Sequence, residues 1–169
     1  SEKGPRTDVS KPDLKELTGK DIKDGTYDIK VESDSSMFNI IKAKLTVKDG
    51  KMTAVLTLNG KGYLRLFMGT GEEAVKADES KYAEFKIVDD KYTYEVSVDK
   101  LNAPVECTSF SKRKQKWYDH QIVFLADTLP EGAVKKDYTV VILCAVVGVV
   151  LVAGIIIGLG RIKKKKSAR

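Results

Sequence analysis

Between Gly25 and Leu125 the apolar residues recur with a period of two, and that alternation leaves this chain little choice of fold. Tyr27, Ile29 and Val31 alternate with Asp28, Lys30 and Glu32, and Ile41, Ala43, Leu45 and Val47 alternate with lysines and a threonine. Successive side chains of a strand point to opposite faces, so the pattern predicts strands with one buried face. Met52, Ala54, Leu56 and Leu58 continue it, and Tyr92, Tyr94, Val96 and Val98 form its clearest inward face. Asp49-Gly50 is a hairpin signal, because type I′ turns need positive φ, Asn59-Gly60 marks the next turn, and Asp89-Asp90 joins another hairpin. The spacing predicts eight strands, at 25–32, 41–47, 52–58, 63–68, 81–88, 91–98, 104–110 and 117–125, with a polar loop and a helical turn over 72–81. Strands in that number without a long helix make a sandwich or a small barrel. Residues 1–24 are polar, contain Pro5 and Pro12, and read as a linker with one helical turn near Asp13.

A second feature lies beyond the strands. Residues 139–160 carry no charge, and at ~1.5 Å per residue they span roughly 33 Å, the thickness of a hydrocarbon core. Tyr138 marks the outer boundary, and Arg161, Lys163, Lys164, Lys165, Lys166 and Arg169 follow. Basic clusters beside a span stay cytoplasmic. The expectation is therefore a single-pass plasma-membrane protein, with its N-terminal domain extracellular, residues 127–138 as a short stalk, 139–160 buried in the lipid bilayer and 161–169 as a cytoplasmic tail. Those six cations account for the whole net charge of +6. The remainder is neutral by count, which argues against nucleic acid as a partner. An exported N-terminus implies a signal removed upstream of Ser1. Cys107 falls outside the membrane and Cys144 within it, so they cannot pair, and Cys107 reads as a small buried residue. Gly154 and Gly158 match a small-xxx-small pattern used in helix association.

No nucleophile elbow, phosphate loop or paired-cysteine motif occurs, and a single His cannot build a multi-histidine metal site. The chain reads as a binding module rather than an enzyme.

Three stretches, in order, resemble the NEAT (near-iron-transporter) domain of haem-uptake surface proteins of Gram-positive bacteria. Asp24-Gly25-Thr26-Tyr27-Asp28-Ile29 is similar to its opening strand. Ser35-Ser36-Met37-Phe38, followed by Ala43 through Met52, is similar to its Ser-Met-containing short helix and the hairpin after it. Trp117-Tyr118-Asp119-His120-Gln121-Ile122-Val123-Phe124 is similar to its last strand. With this resemblance the expected fold is all-β, an immunoglobulin-like antiparallel β-sandwich of about eight strands over residues 25–126, plus a C-terminal single transmembrane α-helix.

The resemblance implies haem as the cofactor, gripped between the short helix and the final hairpin. Tyr118 matches the iron-ligating tyrosine, the first of a Tyr-x-x-x-Tyr pattern whose second position is Ile122 here. Tyr118, His120 and Ile122 share one strand face, which makes His120 a weaker candidate ligand. Ser35, Ser36, Met37, Phe38 and Ile122 would form the haem pocket, and Lys112, Arg113 and Lys114 would screen the propionates. Trp117 falls on the opposite face and is expected in the core. A phenolate suits ferric iron, and one oxygen ligand permits hand-over to other haem-relay proteins or to an ABC-type importer. The alternative function is a cofactor-free protein-interaction module recognising a haemoprotein or a transporter partner.

Overall fold

The computed structural model describes residues 6–137. Ten strands build it: β1 (Gly25–Asp28), β2 (Lys30–Ser33), β3 (Ile40–Lys48), β4 (Lys51–Leu58), β5 (Tyr63–Phe67), β6 (Ala83–Glu84), β7 (Lys86–Val88), β8 (Lys91–Val98), β9 (Val105–Ser111) and β10 (Trp117–Leu125), with one short helix, α1 (Gly71–Lys76), between β5 and β6. They form two five-stranded antiparallel sheets, in the orders β1-β3-β4-β8-β7 and β2-β10-β9-β5-β6. The expected sandwich of antiparallel strands is present. Ten strands replace eight because the chain changes sheet twice within a single extended run. It crosses at Ile29, between β1 and β2, and again at Phe85, between β6 and β7. Both crossing residues are held by the core: Ile29 is buried, and Phe85 stacks on Tyr92 with ring centroids 4.1 Å apart.

The turns follow the local chemistry. Asp49 and Gly50 adopt φ of 51° and 74°, and Asp89 and Asp90 adopt 49° and 60°, the paired positive values of a two-residue hairpin turn. α1 opens with a capping box, in which the Thr70 hydroxyl accepts from the Glu73 N–H and the Glu73 carboxylate accepts from the Thr70 N–H. The alternating residues meet between the sheets. Leu45, Leu56, Leu58, Tyr94, Leu66, Ile122 and Phe124 are all fully buried there. Truncating one such leucine to alanine costs ~2–5 kcal/mol.

Two boundaries differ from the sequence reading. Residues 6–24 pack on the domain rather than linking to it. Val9 and Leu14 cover Val123 and Leu125 on the outer side of β10, Leu17 bridges to Leu101, and Ile22 is wholly buried and bridges to Val134. Gly19 lies so close to the Asp49-Gly50 turn that a Cβ there would stand 2.2 Å from the Gly50 carbonyl oxygen. The first half of the expected stalk is likewise part of the fold: Leu129 and Ala133 are buried, and the Lys23 N–H donates to the Ala133 carbonyl. The apolar residues of both segments lack a regular period, because a segment laid across a sandwich buries only its contact points. The compact unit ends at Lys135. Among the described residues no helix is long and apolar enough to cross a membrane. The expected span at 139–160 and the tail at 161–169 lie outside them.

Candidate functional site

The register of β10 creates a cleft at one end of the sandwich. β2 pairs with β10 only from Ile122 to Leu125, and the Asp34 N–H makes one further bond to the Gln121 carbonyl. Beyond that point the chain turns away at Ser35, and the edge of β10 from Trp117 to Gln121 has no strand beside it. The resemblance implied a short helix here. The structure has a single turn instead, closed by the Phe38 N–H donating to the Ser35 carbonyl at 3.1 Å. Ser33, one residue before Asp34, stabilises it by accepting the Ser35 N–H.

A cleft of about 1310 Å³ runs along this free edge. The turn contributes Ser35, Ser36 and Met37, the β9–β10 hairpin contributes Arg113, Lys114 and Lys116, and the floor holds Tyr63, Ser111, Tyr118 and His120. Its hollowness follows from β9, whose inward residues at this end are the small Ser109 and Ser111 where larger side chains fill the rest of the core.

Tyr118 is half-buried and lines the cleft, with the Lys116 ammonium 5.3 Å from its ring centroid, in range of a cation–π contact. Met37 stands on the lip, 81% exposed. Lys112 is exposed but is not part of the lining, and its N–H donates to the Gly62 carbonyl.

Four sequence expectations are corrected. Phe38 is not a cleft wall: it is completely buried and stacks on His120, with centroids 4.3 Å apart and planes 7° from parallel. Ile122 lies inside the core, out of reach of the cleft. His120, the weaker candidate ligand, shares the strand face of Tyr118 but is withdrawn from solvent. It is 4% exposed, with Nε2 2.8 Å from the Ser109 hydroxyl. Trp117 does sit opposite Tyr118, but half-exposed, in an aromatic cluster with Tyr82 and Phe110 at 5.1 and 5.2 Å rather than between the sheets. Together Phe38 and His120 close the inner end of the space that a deeper pocket would occupy. Cys107 is buried as expected, and burial pushes its thiol up to about 12, so it stays protonated.

The polar residues behind the cleft were not singled out by the sequence. Asp34 is 4% exposed and pairs with the Arg6 guanidinium at 2.9 Å, while the other guanidinium nitrogen donates to the Asp119 carbonyl at 2.6 Å. Arg6 thus caps one carbonyl of the free β10 edge, a protection that open edges require. Desolvation pulls His120 down to about 4, against the raising influence of Asp34 and with that of Arg6, so its imidazole is neutral at physiological pH. Asp34 Oδ1 and His120 Nδ1 are buried without a hydrogen-bond partner. Burial also raises Tyr63 above the usual phenol range, a shift reduced by Ser109 and increased by Tyr118. A period-two reading of β9 puts Ser109 and Ser111 inward, and that pair of small residues was the available signal for a hollow.

The serine–histidine contact offers no reacting oxygen to a bound molecule, because Ser109 is wholly buried. Among the described residues no three His, Cys, Asp or Glu side chains gather as metal ligands. What the cleft does present is two half-buried phenols, Tyr63 and Tyr118, between a hydroxyl-bearing turn and a cationic rim. No protein-family model matches the chain, and no curated protein matches its sequence.

Proposed function

We propose that this chain is a membrane-anchored, extracellular haem-binding protein of the NEAT kind, an immunoglobulin-like sandwich ahead of a transmembrane helix, which relays haem toward an importer. The observation that carries the reading is the position of Tyr118. Its ring lines a cleft shared with Ser35, Ser36 and Met37 on one side and Arg113 and Lys114 on the other, residues distant in sequence. The cleft exceeds the ~300–1,000 Å³ of ordinary small-molecule sites, enough for a flat macrocycle. In this reading Tyr118 gives up its proton and donates the oxygen to ferric iron. Met37 and Tyr63 supply apolar contact, the Ser35 and Ser36 hydroxyls reach one propionate, and Arg113 and Lys114 balance propionate charge. Coordination offsets the cost of ionising a group with a free pKa near ~10. A single protein ligand keeps release easy. Phe38 and His120 set the depth of the site, and His120 stays behind it, bonded to Ser109.

Haemin titrated into the full chain in detergent is expected to give a Soret band that Tyr118→Ala abolishes. A band unchanged in that variant overturns the assignment of the ligand. The free edge of β10 from Trp117 to Gln121 favours a second reading, a cofactor-free module that docks a partner segment there. Absence of any Soret change in the wild-type chain selects it.

A further inference from the structure

The open edge of β10 has a defined hydrogen-bonding pattern. The Ser111 N–H donates to the Lys116 carbonyl, and Tyr118 and His120 lie opposite Ser109 and Cys107. Residues of an inner antiparallel strand bond alternately to one neighbour and to the other. Even-numbered residues here therefore serve β9, and odd-numbered ones turn their backbone groups away from it. Two contacts on that side agree: the Gln121 carbonyl accepts the Asp34 N–H, and the Asp119 carbonyl accepts from Arg6 Nη2. Past Asp34, the Asp119 N–H and both backbone groups of Trp117 face outward, and no strand among the described residues receives them. Every residue from Trp117 to Gln121 lines the cleft.

Charge is divided along this edge. At the Gln121 end stand Asp8, Asp34 and Glu106, the last two bonded to Arg6 and to Gln121. The Asp119 carboxylate is turned to α1, where it accepts the Gly71 N–H. At the Trp117 end stand Arg113, Lys114 and Lys116, and no ion pair among the described residues involves them.

We propose that this edge is a strand-addition site for an extended segment of another protein, which enters antiparallel to β10 and carries acidic side chains at its C-terminal end. Every strand pairing in the sandwich is antiparallel, and that orientation brings the guest's C-terminal end beside the basic hairpin. Main-chain bonds then supply affinity, and the hairpin cations select the guest. The guest amide opposite Asp119 takes over that carbonyl from Arg6, which stays paired with Asp34 through Nη1. The guest side chain opposite Tyr118 shares its face and enters the hollow left by Ser109 and Ser111. A second copy of this chain fits less well. Self-pairing over the same residues sets Trp117 opposite Gln121, so each hairpin tip would meet the other copy's Ser35–Phe38 turn. The proposal deepens the second reading above and is independent of haem ligation by Tyr118.

The test begins with random heptapeptides displayed on phage and selected on the full chain in detergent, without haemin. Expected is enrichment of Asp and Glu toward the C-terminal end, lost on the Arg113→Glu, Lys114→Glu double variant. The enriched heptapeptide is then synthesised with a fluorescein label and methylated at one backbone nitrogen at a time. Binding followed by anisotropy is expected to weaken about tenfold at each nitrogen that faces β10 and to persist at the residues between. No enrichment, an acidic preference unchanged in the double variant, or losses without that period of two each overturn the proposal. A chain that selects no peptide and elutes as a dimer also overturns it, and assigns the edge to a second copy. Haem is read separately: a Soret band abolished by Tyr118→Ala leaves the haem reading standing whatever the peptides do, and its absence leaves the peptide result unaffected.

Discussion

His120 is held neutral by its burial between Phe38, Ser109 and the strand beneath it. In the unfolded chain it takes up a proton near its ordinary value of 6.5, whereas folded it resists protonation down to about 4. Between those limits the unfolded state binds more protons. Its contribution to stability is therefore complete above about pH 6.5, declines as pH falls, and is lost by about pH 4. The difference amounts to about 3 kcal/mol. Urea midpoints measured from about pH 7.5 to about 4.5 are expected to fall more steeply for wild type than for His120→Gln; parallel slopes would refute the assignment. Strand alternation was enough to put His120 on the face of Tyr118. It could not reveal that a ring from the distant Ser35–Phe38 turn covers that face, because stacking partners are chosen by the folded chain.

Elements are joined by a few residues that work across them, and Asn102 is the clearest. It holds φ at 65°, its amide nitrogen donates to the Lys15 carbonyl at 2.9 Å, and its amide oxygen accepts the Ala126 N–H at 2.9 Å. It thereby ties the N-terminal segment to the end of β10. Asn102→Ala is expected to cost about 2–4 kcal/mol, since it strands the buried Ala126 N–H, loses the bond to the Lys15 carbonyl and leaves an alanine at positive φ. Asn102→Gly relieves the backbone alone and should recover about 1 kcal/mol of that by chemical denaturation. Hairpins were the most legible elements, because Asp49-Gly50 and Asp89-Asp90 name their own backbone conformation. The sheet changes at Ile29 and Phe85 were not, since alternation continues unbroken through both residues. A period of two tells which side is buried but not which neighbour accepts the hydrogen bonds.

The extent of the folded unit is a property of the molecule as a whole. Ile22 and Leu17 from the N-terminal segment and Leu129 and Ala133 after β10 complete the hydrophobic core. A protein trimmed to residues 25–126 should unfold at markedly lower denaturant concentration than the full chain, or without cooperativity, because each lost leucine or isoleucine contributes about 2–4 kcal/mol. Equal midpoints by circular dichroism would show that the added segments are passengers. The sandwich is closed by segments whose own sequences show no strand, which is why its boundaries were misplaced while its centre was not.

By itself the sequence determined the strands, their buried faces and the hairpin turns, since these depend on residues two to four apart and on the conformations that glycine and aspartate permit. Tyr118, Met37 and the hairpin cations were grouped only by the resemblance to a known domain. Tertiary structure alone decided that they share a cleft and how deep it is. Depth depends on where β2 stops pairing with β10 and on which rings, Phe38 and His120, occupy the space behind, and these are contacts between parts of the chain that no local pattern relates.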